Sequence, residues 1–349
     1  MALARPARQR LGPTTLAAGV AVLLGALLAG LVLGPTHIGV GGTLLEVVDR
    51  LTGLRLRTGL GQLDAAIVWQ VRAPTVALAA LVGGTLAISG GAYQGVFRNP
   101  LADPYLLGVA AGAGLGATIA FTNGAEGAAG PVAYVPLVAF AGALAAVGLT
   151  TALAAGGRAR GPATLLLAGV AVSSMLTAVQ TFLQLRQTQT LRDVYSWILG
   201  DLTTAGWHDT LLLLPYSLVT AVVLLACGRR LDVLAVGDDE ATSLGVDVRR
   251  TRAVVLAAAS LGTAAAVSVS GLIGFVGIII PNAVRLVAGT SYRVVLPVSL
   301  LAGAAFLVLA NLVAGVVLSP AELPIGVVTA ALGGPFFVLV LRRRAAGGW

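Results

Sequence analysis

The run LAAGVAVLLGALLAGLVL, Leu16–Leu33, carries eighteen consecutive residues without one polar side chain. At 1.5 Å per residue a helix of that length spans about 27 Å, close to the roughly 30 Å hydrocarbon thickness of a bilayer. Lipid offers no partner to backbone N–H and C=O groups, so a segment that crosses alone must bond internally as a helix. A second run, Val254–Val269, reads the same way. The alternating ten-residue pattern of a membrane β-barrel is missing. Outward from these runs the whole chain agrees: 57% of 349 residues are hydrophobic and 10% charged, with a mean hydropathy of +0.95, whereas soluble chains carry about 25% charged residues. The fold class is an all-α polytopic membrane protein.

Apolar runs separated by charged or Gly/Pro-rich breaks give about ten transmembrane helices, near 14–34, 72–96, 104–122, 131–155, 163–185, 208–228, 251–271, 274–288, 294–318 and 325–341. They form one transmembrane domain over 1–349. The eighth is short and contains Pro281, which removes a backbone donor and permits a bend. The basic segment MALARPARQRLGPTT precedes a run longer than the roughly 7–15 residues of a signal peptide's apolar region, and no small-x-small cleavage site follows. The first span is therefore expected to be retained. With the N-terminus inside, inner segments collect sixteen arginines and outer segments six. The positive-inside rule then places both termini, and residues 234–252, in the cytoplasm. The 46 glycines, poor in soluble helices, suit lipid, where small residues let helix backbones approach closely.

Several chemistries are excluded by residue type. No lysine occurs, so a Walker A loop cannot form and the chain cannot hold ATP in that way. Cys227 is alone, and His37 and His208 lie far apart, so neither a disulfide nor a metal site is expected. No Ser/His/Asp or HExxH pattern appears and no carboxylate sits mid-span, which argues against an enzyme and against a proton relay. The arginine excess follows orientation rather than nucleic-acid binding.

What remains is polar pattern. Ser173, Thr177, Gln180 and Gln184 step by 4, 3 and 4 residues and so share one helix face. Such a stripe either bonds helices together or walls a wet path, and both readings stay open. Arg186 stands just beyond it. Two outer stretches, 35–71 and 186–207, are more than connectors, and Tyr195, Trp197 and Trp207 suit a membrane interface. On the inner side LAVGDDEATSLGVDVRRTR, residues 234–252, holds seven charged side chains. Asp238 or Asp239 suits an N-cap, Asp239 and Glu240 the positive helix end, and Gly245 the C′ position, which predicts a short helix over 239–244. A solvated loop and a docking element for a soluble partner both fit.

The strings WQVRAPTVALAALVGGTLAISGGAYQGVFRNPLADPYLLGVAAGAGLGA (69–117), LLLAGVAVSS (165–174), YSWILGDLTTAGW (195–207), VGDDEATSLGVDV (236–248), GLIGFVGIIIPNAVRLVAG (271–289) and SPAELPIGVVTAALGGPFFVLVLRR (319–343) span almost the whole chain. Together the sequence resembles the FecCD-type (type II) permeases of ABC importers for ferric siderophores, haem and cobalamin. The resemblance implies a multi-pass protein of the bacterial cytoplasmic membrane that imports an iron complex, with a ferric siderophore first and haem or cobalamin as alternatives. It implies a second permease subunit, identical or closely related, and two ATP-binding subunits that carry ATP and magnesium, this chain binding no cofactor itself. It further implies an extracytoplasmic substrate-binding protein. By the same resemblance, Asp238, Asp239, Glu240, Leu244 and Gly245 within 236–248 form the ATPase-coupling segment, and the Ser173–Gln184 face lines the substrate pathway. Departures are Thr75 where a second arginine is frequent, Asn282 where histidine is usual, and Gly315 where some members carry a docking arginine. Binding-protein docking then falls to Arg55, Arg57 or Arg186. A stand-alone secondary transporter or channel is the rival of a different class.

Overall fold

The computed structural model describes residues 11–34, 36, 38–53, 58–124, 134–156, 161–203, 205–319 and 321–345. Every regular element among them is helical. In chain order these are α1 (Pro13–Val32), α2 (Val40–Thr52), α3 (Gln62–Ala66), α4 (Ala73–Phe97), α5 (Val109–Thr122), α6 (Tyr134–Gly156) and α7 (Pro162–Arg186). Then come α8 (Leu191–Leu199), α9 (Trp207–Leu234), α10 (Asp238–Ser243), α11 (Val248–Ser270), α12 (Val276–Ala288), α13 (Tyr292–Val317) and α14 (Ile325–Ala345). Among the described residues seven helical stretches are long and apolar enough to cross a membrane, and 109–122, 276–288 and 325–336 are shorter apolar helices.

The bundle is built around α4. Of its most apolar stretch 83% of residues are buried, and of α11's 72%, whereas α7 buries 11%. The reason is side-chain size. α4 packs on α9, α11, α12 and α13, and its glycines remove the bulk that would hold those helices apart. A Cβ placed on Gly83 would overlap the carbonyl oxygen of Gly303 on α13, and one on Gly90 would overlap that of Gly277 on α12. In lipid no hydrophobic gain drives apolar helices together, so such backbone approach and the accompanying hydrogen bonds do so instead. Thr85 Oγ1 donates to Ser217 Oγ at 2.8 Å, and the hydroxyls of Tyr93 and Ser260 stand 2.6 Å apart.

α4 enters through a π-helical turn, Ile67–Arg72. That turn delivers Arg72 to the end of α1, where its guanidinium donates to the carbonyls of Leu31 and Val32, at 3.1 and 3.0 Å, and to both oxygens of Thr36. The last carbonyls of α1, left without intrahelical donors, are thereby satisfied.

Two local expectations need correction. The span expected from 104 begins as a 3₁₀ turn, Pro104–Leu107, because Asp103 Oδ1 takes the Tyr105 N–H at 2.8 Å; α5 starts only at Val109, after Gly108 with φ 87°. The N-cap of α10 is Gly237, not Asp238 or Asp239, and no side chain caps it. Asp238 is unavailable because arginines outside the helix hold its carboxylate. The C-terminal reading stands: Gly245 has φ 81°, its N–H bonds the Thr242 carbonyl at 2.9 Å, and Val246 N–H bonds that of Ala241 at 3.0 Å. This double closure is a Schellman motif.

Candidate functional site

At the end of the bundle that carries α10, the charged segment is pinned from three directions. Arg98 follows the last residue of α4 with φ 48°, a left-handed conformation that costs a non-glycine residue about 1–2 kcal/mol. That turn ends α4 and swings the side chain across to α9, where Nε donates to the Leu234 carbonyl at 2.7 Å and Nη2 to Asp238 Oδ1. From α11, Arg252 grips the same carboxylate with both terminal nitrogens at 2.8 Å. Burial raises the Asp238 carboxyl, but the hydrogen bonds and charges of Arg252 and Arg98 outweigh it and hold the group below its usual range. Ala241 is fully buried, anchoring α10 on the bundle, while Leu244 points outward at 68% exposure. Asp239 and Glu240 are exposed.

Beside it lies a second polar knot. Asn282 Nδ2 donates to the Pro100 and Ile278 carbonyls, both at 2.8 Å, while Arg285 donates to Gln94 Oε1 and rests 5.5 Å over the Tyr292 ring. Gln94 in turn donates to the Gly277 carbonyl at 3.1 Å, tying α4 to α12 across Pro281.

The stripe on α7 is not uniformly open. Ser173 is half-buried beside Gly108, Gln180 is buried with its amide over Gly114 of α5, Gln184 is buried and Thr177 is exposed. Arg186 is exposed and lies 5.9 Å over Phe182. Arg55 and Arg57 fall outside the described residues.

Between α11 and α12 the backbone leaves the helix from Gly271 to Phe275, and the Tyr105 hydroxyl repairs part of the break. It donates to the Ile273 carbonyl at 2.9 Å and accepts from the Ile273 N–H at 3.2 Å. Phe275 has φ 69° and packs where Gly333 of α14 has no side chain. A bulky residue with positive φ is rare enough to mark a constrained position. Near this break the C-terminal end of α8 meets the bundle through backbone: Asp201 N–H bonds the Ser270 carbonyl at 3.1 Å, and Ile325 N–H bonds that of Gly200 at 3.2 Å.

Two cavities open at the α8 end. One of about 280 Å³ is lined by Arg72, Asp201, Thr203, Asn311 and Glu322, among others. The other, about 550 Å³, includes Asp193, Trp197, Asp201, Asp209 and Ser270 in its wall. Glu322 is pushed above its ordinary value by desolvation and then by the nearby Asp201 charge, with Thr203 opposing. These carboxylates escaped the reading of the sequence, although Asp193, Asp201 and Asp209 recur there every eight residues.

The fold as a whole has a close counterpart among solved structures, and the sequence has close relatives. A model of the FecCD transport family matches residues 21–343. The chain belongs to the FecCD transport family. It is 46% identical over 289 residues to the cobalamin import system permease protein BtuC of Halobacterium salinarum, covering 83% of this chain and 77% of that protein. It is 38% identical over 288 residues to the hemin transport system permease protein HmuU of Yersinia pestis, covering 79% and 84%. A solved inward-facing metal-chelate type ABC transporter superposes with a TM-score of 0.82 at 27% identity, covering 95% of this chain and all of that one.

This FecCD protein is thus a multi-pass ABC importer permease. It is a transport subunit, and in these importers ATP is hydrolysed in separate subunits. The network Arg98–Asp238–Arg252 was hidden in the sequence because its members lie 140 and 14 residues apart. Arg252, in the same charged run as Asp238, and the arginine within RNPLADPYLLG were the available hints.

Proposed function

We propose that this chain moves a compact organic metal complex across the cytoplasmic membrane by alternating access, driven by two ATPase subunits, one seated on α10 of each permease copy. The supporting observation is α10 itself, a short helix fixed by Asp238, with Asp239, Glu240 and Leu244 presented outward and Gly245 closing its C-terminus. Positive-inside asymmetry puts this end in the cytoplasm, with both termini. The α8 end then faces outward and receives substrate from a binding protein, with Arg186 as the docking side chain in reach. A second copy or close homologue packs beside α7 and α14, and the remaining apolar surface meets lipid. Ser173, Thr177, Gln180 and Gln184 line the path between the two copies. ATP and magnesium sit on the partners, and this chain carries no cofactor. One domain, 1–349, suffices for the permease role.

For substrate, the relatives transport cobalamin, hemin and ferric dicitrate, according to their names. The 46% identity to a cobalamin permease moves cobalamin ahead of the ferric siderophore that the family resemblance put first, and the siderophore is kept as the second reading through the ferric dicitrate relative. Proteoliposomes holding the complete complex, loaded with ATP and offered labelled cobalamin, ferric siderophore and hemin separately, discriminate these. Saturable ATP-dependent uptake of cobalamin above the others is the expected result. Uptake of the siderophore alone would reverse the order, and uptake of none would reject metal complexes.

A further inference from the structure

α10 is six residues long and hangs between the residues 235–237 and 244–247, which include Gly237 and Gly245. A helix so suspended would pivot when pushed, and the push would be lost in its connectors. Its fastening prevents that. One carboxylate, Asp238, is held simultaneously by Arg98 at the end of α4 and by Arg252 in α11, and Arg98 also caps α9 at Leu234. The Arg252 contact is a two-point fork, which fixes orientation as well as distance. The two helices so reached, α4 and α11, have the two most buried apolar stretches of the bundle.

We propose that Arg98, Asp238 and Arg252 form a clamp that transmits the displacement of α10 into α4 and α11, so that the two arginines are positioning residues for transport. The clamp lies partly exposed, where ion pairs contribute little to stability. Its value is geometric: Arg98 holds a left-handed backbone conformation with its guanidinium directed at α9 and α10. The proposal rests on the reading that an ATPase subunit seats on α10.

The test uses the intact complex, purified by a tag on this chain into lipid nanodiscs. Amide hydrogen exchange is followed with and without ADP and vanadate. In the wild type, nucleotide trapping should slow exchange at α10, at the last turn of α4 (Gln94–Phe97) and in the first turns of α11. Arg98→Gln with Arg252→Gln should keep the ATPase subunits bound and the change at α10, while abolishing the change at α4 and α11. Arg252→Lys, which keeps the charge without the fork, should lose the α11 change alone, and it serves if the double variant does not elute as a monodisperse complex. A double variant that transmits the change undiminished overturns the clamp, as does a wild type that responds at α10 only. No response at α10 despite bound ATPase subunits would sink the docking reading first and the clamp with it.

Discussion

Asp238 shows what a single side chain can and cannot reveal. By local rules an aspartate before a short helix is a cap for free N–H groups. In the folded chain two guanidinium groups outbid the backbone, since a charge-assisted fork is worth more than one neutral N–H donor. One competitor, Arg98, lies 140 residues away and outside any local window; the other, Arg252, stands 14 residues on, within the charged run itself. Its carboxyl is held below the ordinary value of 3.8. A depressed carboxyl contributes while ionised, so the clamp is complete above the ordinary value and is lost as pH falls through the lowered one. Exchange at α10, taken relative to its intrinsic pH-dependent rate, should therefore be unchanged from pH 7 down to about pH 5 and rise only in stronger acid. A rise centred near pH 6 would contradict the pairing. At the stripe, by contrast, the residue types and spacing were readable, yet not the partner: Gln180 faces Gly114, and no periodicity names that neighbour.

At the scale of elements, helices were legible because lipid allows a chain that crosses alone no other closure for its backbone. Where protein rather than lipid supplies the partner, legibility ended. The non-helical stretch 271–275 sits between expected spans that Gly271 and Gly274 already punctuated, but its repair by Tyr105 joins residues far apart in sequence. Tyr105→Phe would leave the buried N–H and C=O of Ile273 short of a partner, a loss of about 1–3 kcal/mol. We expect a lower thermal midpoint in detergent, with faster amide exchange over residues 271–276. An unchanged midpoint would mean that the break is supported by other contacts. The 3₁₀ turn at Pro104–Leu107 was missed for a related reason: PYLL looks as apolar as the helix it precedes, and only the Asp103 bond to Tyr105 N–H sets it apart.

For the whole molecule, hydropathy counted apolar runs but could not rank them. α1 is the more hydrophobic, at 2.4 against 1.6 for the stretch containing α4, yet α4 is the buried centre and α1 lies at the rim. Lipid is as apolar as a protein core, so greasiness does not select the interior. Small side chains do, and Gly83 and Gly90 were the better signal. On the proposed function, import depends on force entering at α10 and leaving at the far end, where α8, the 271–275 break and α14 meet. Uptake by proteoliposomes containing the complete complex, with ATP present or absent inside, tests this most directly when the wild type is set beside Leu244→Asp. The account predicts uptake only with ATP, and loss of both ATPase co-purification and uptake in Leu244→Asp, since a charge replaces the exposed apolar contact of α10. Uptake that continues without ATP, or that ignores Leu244→Asp, would contradict it.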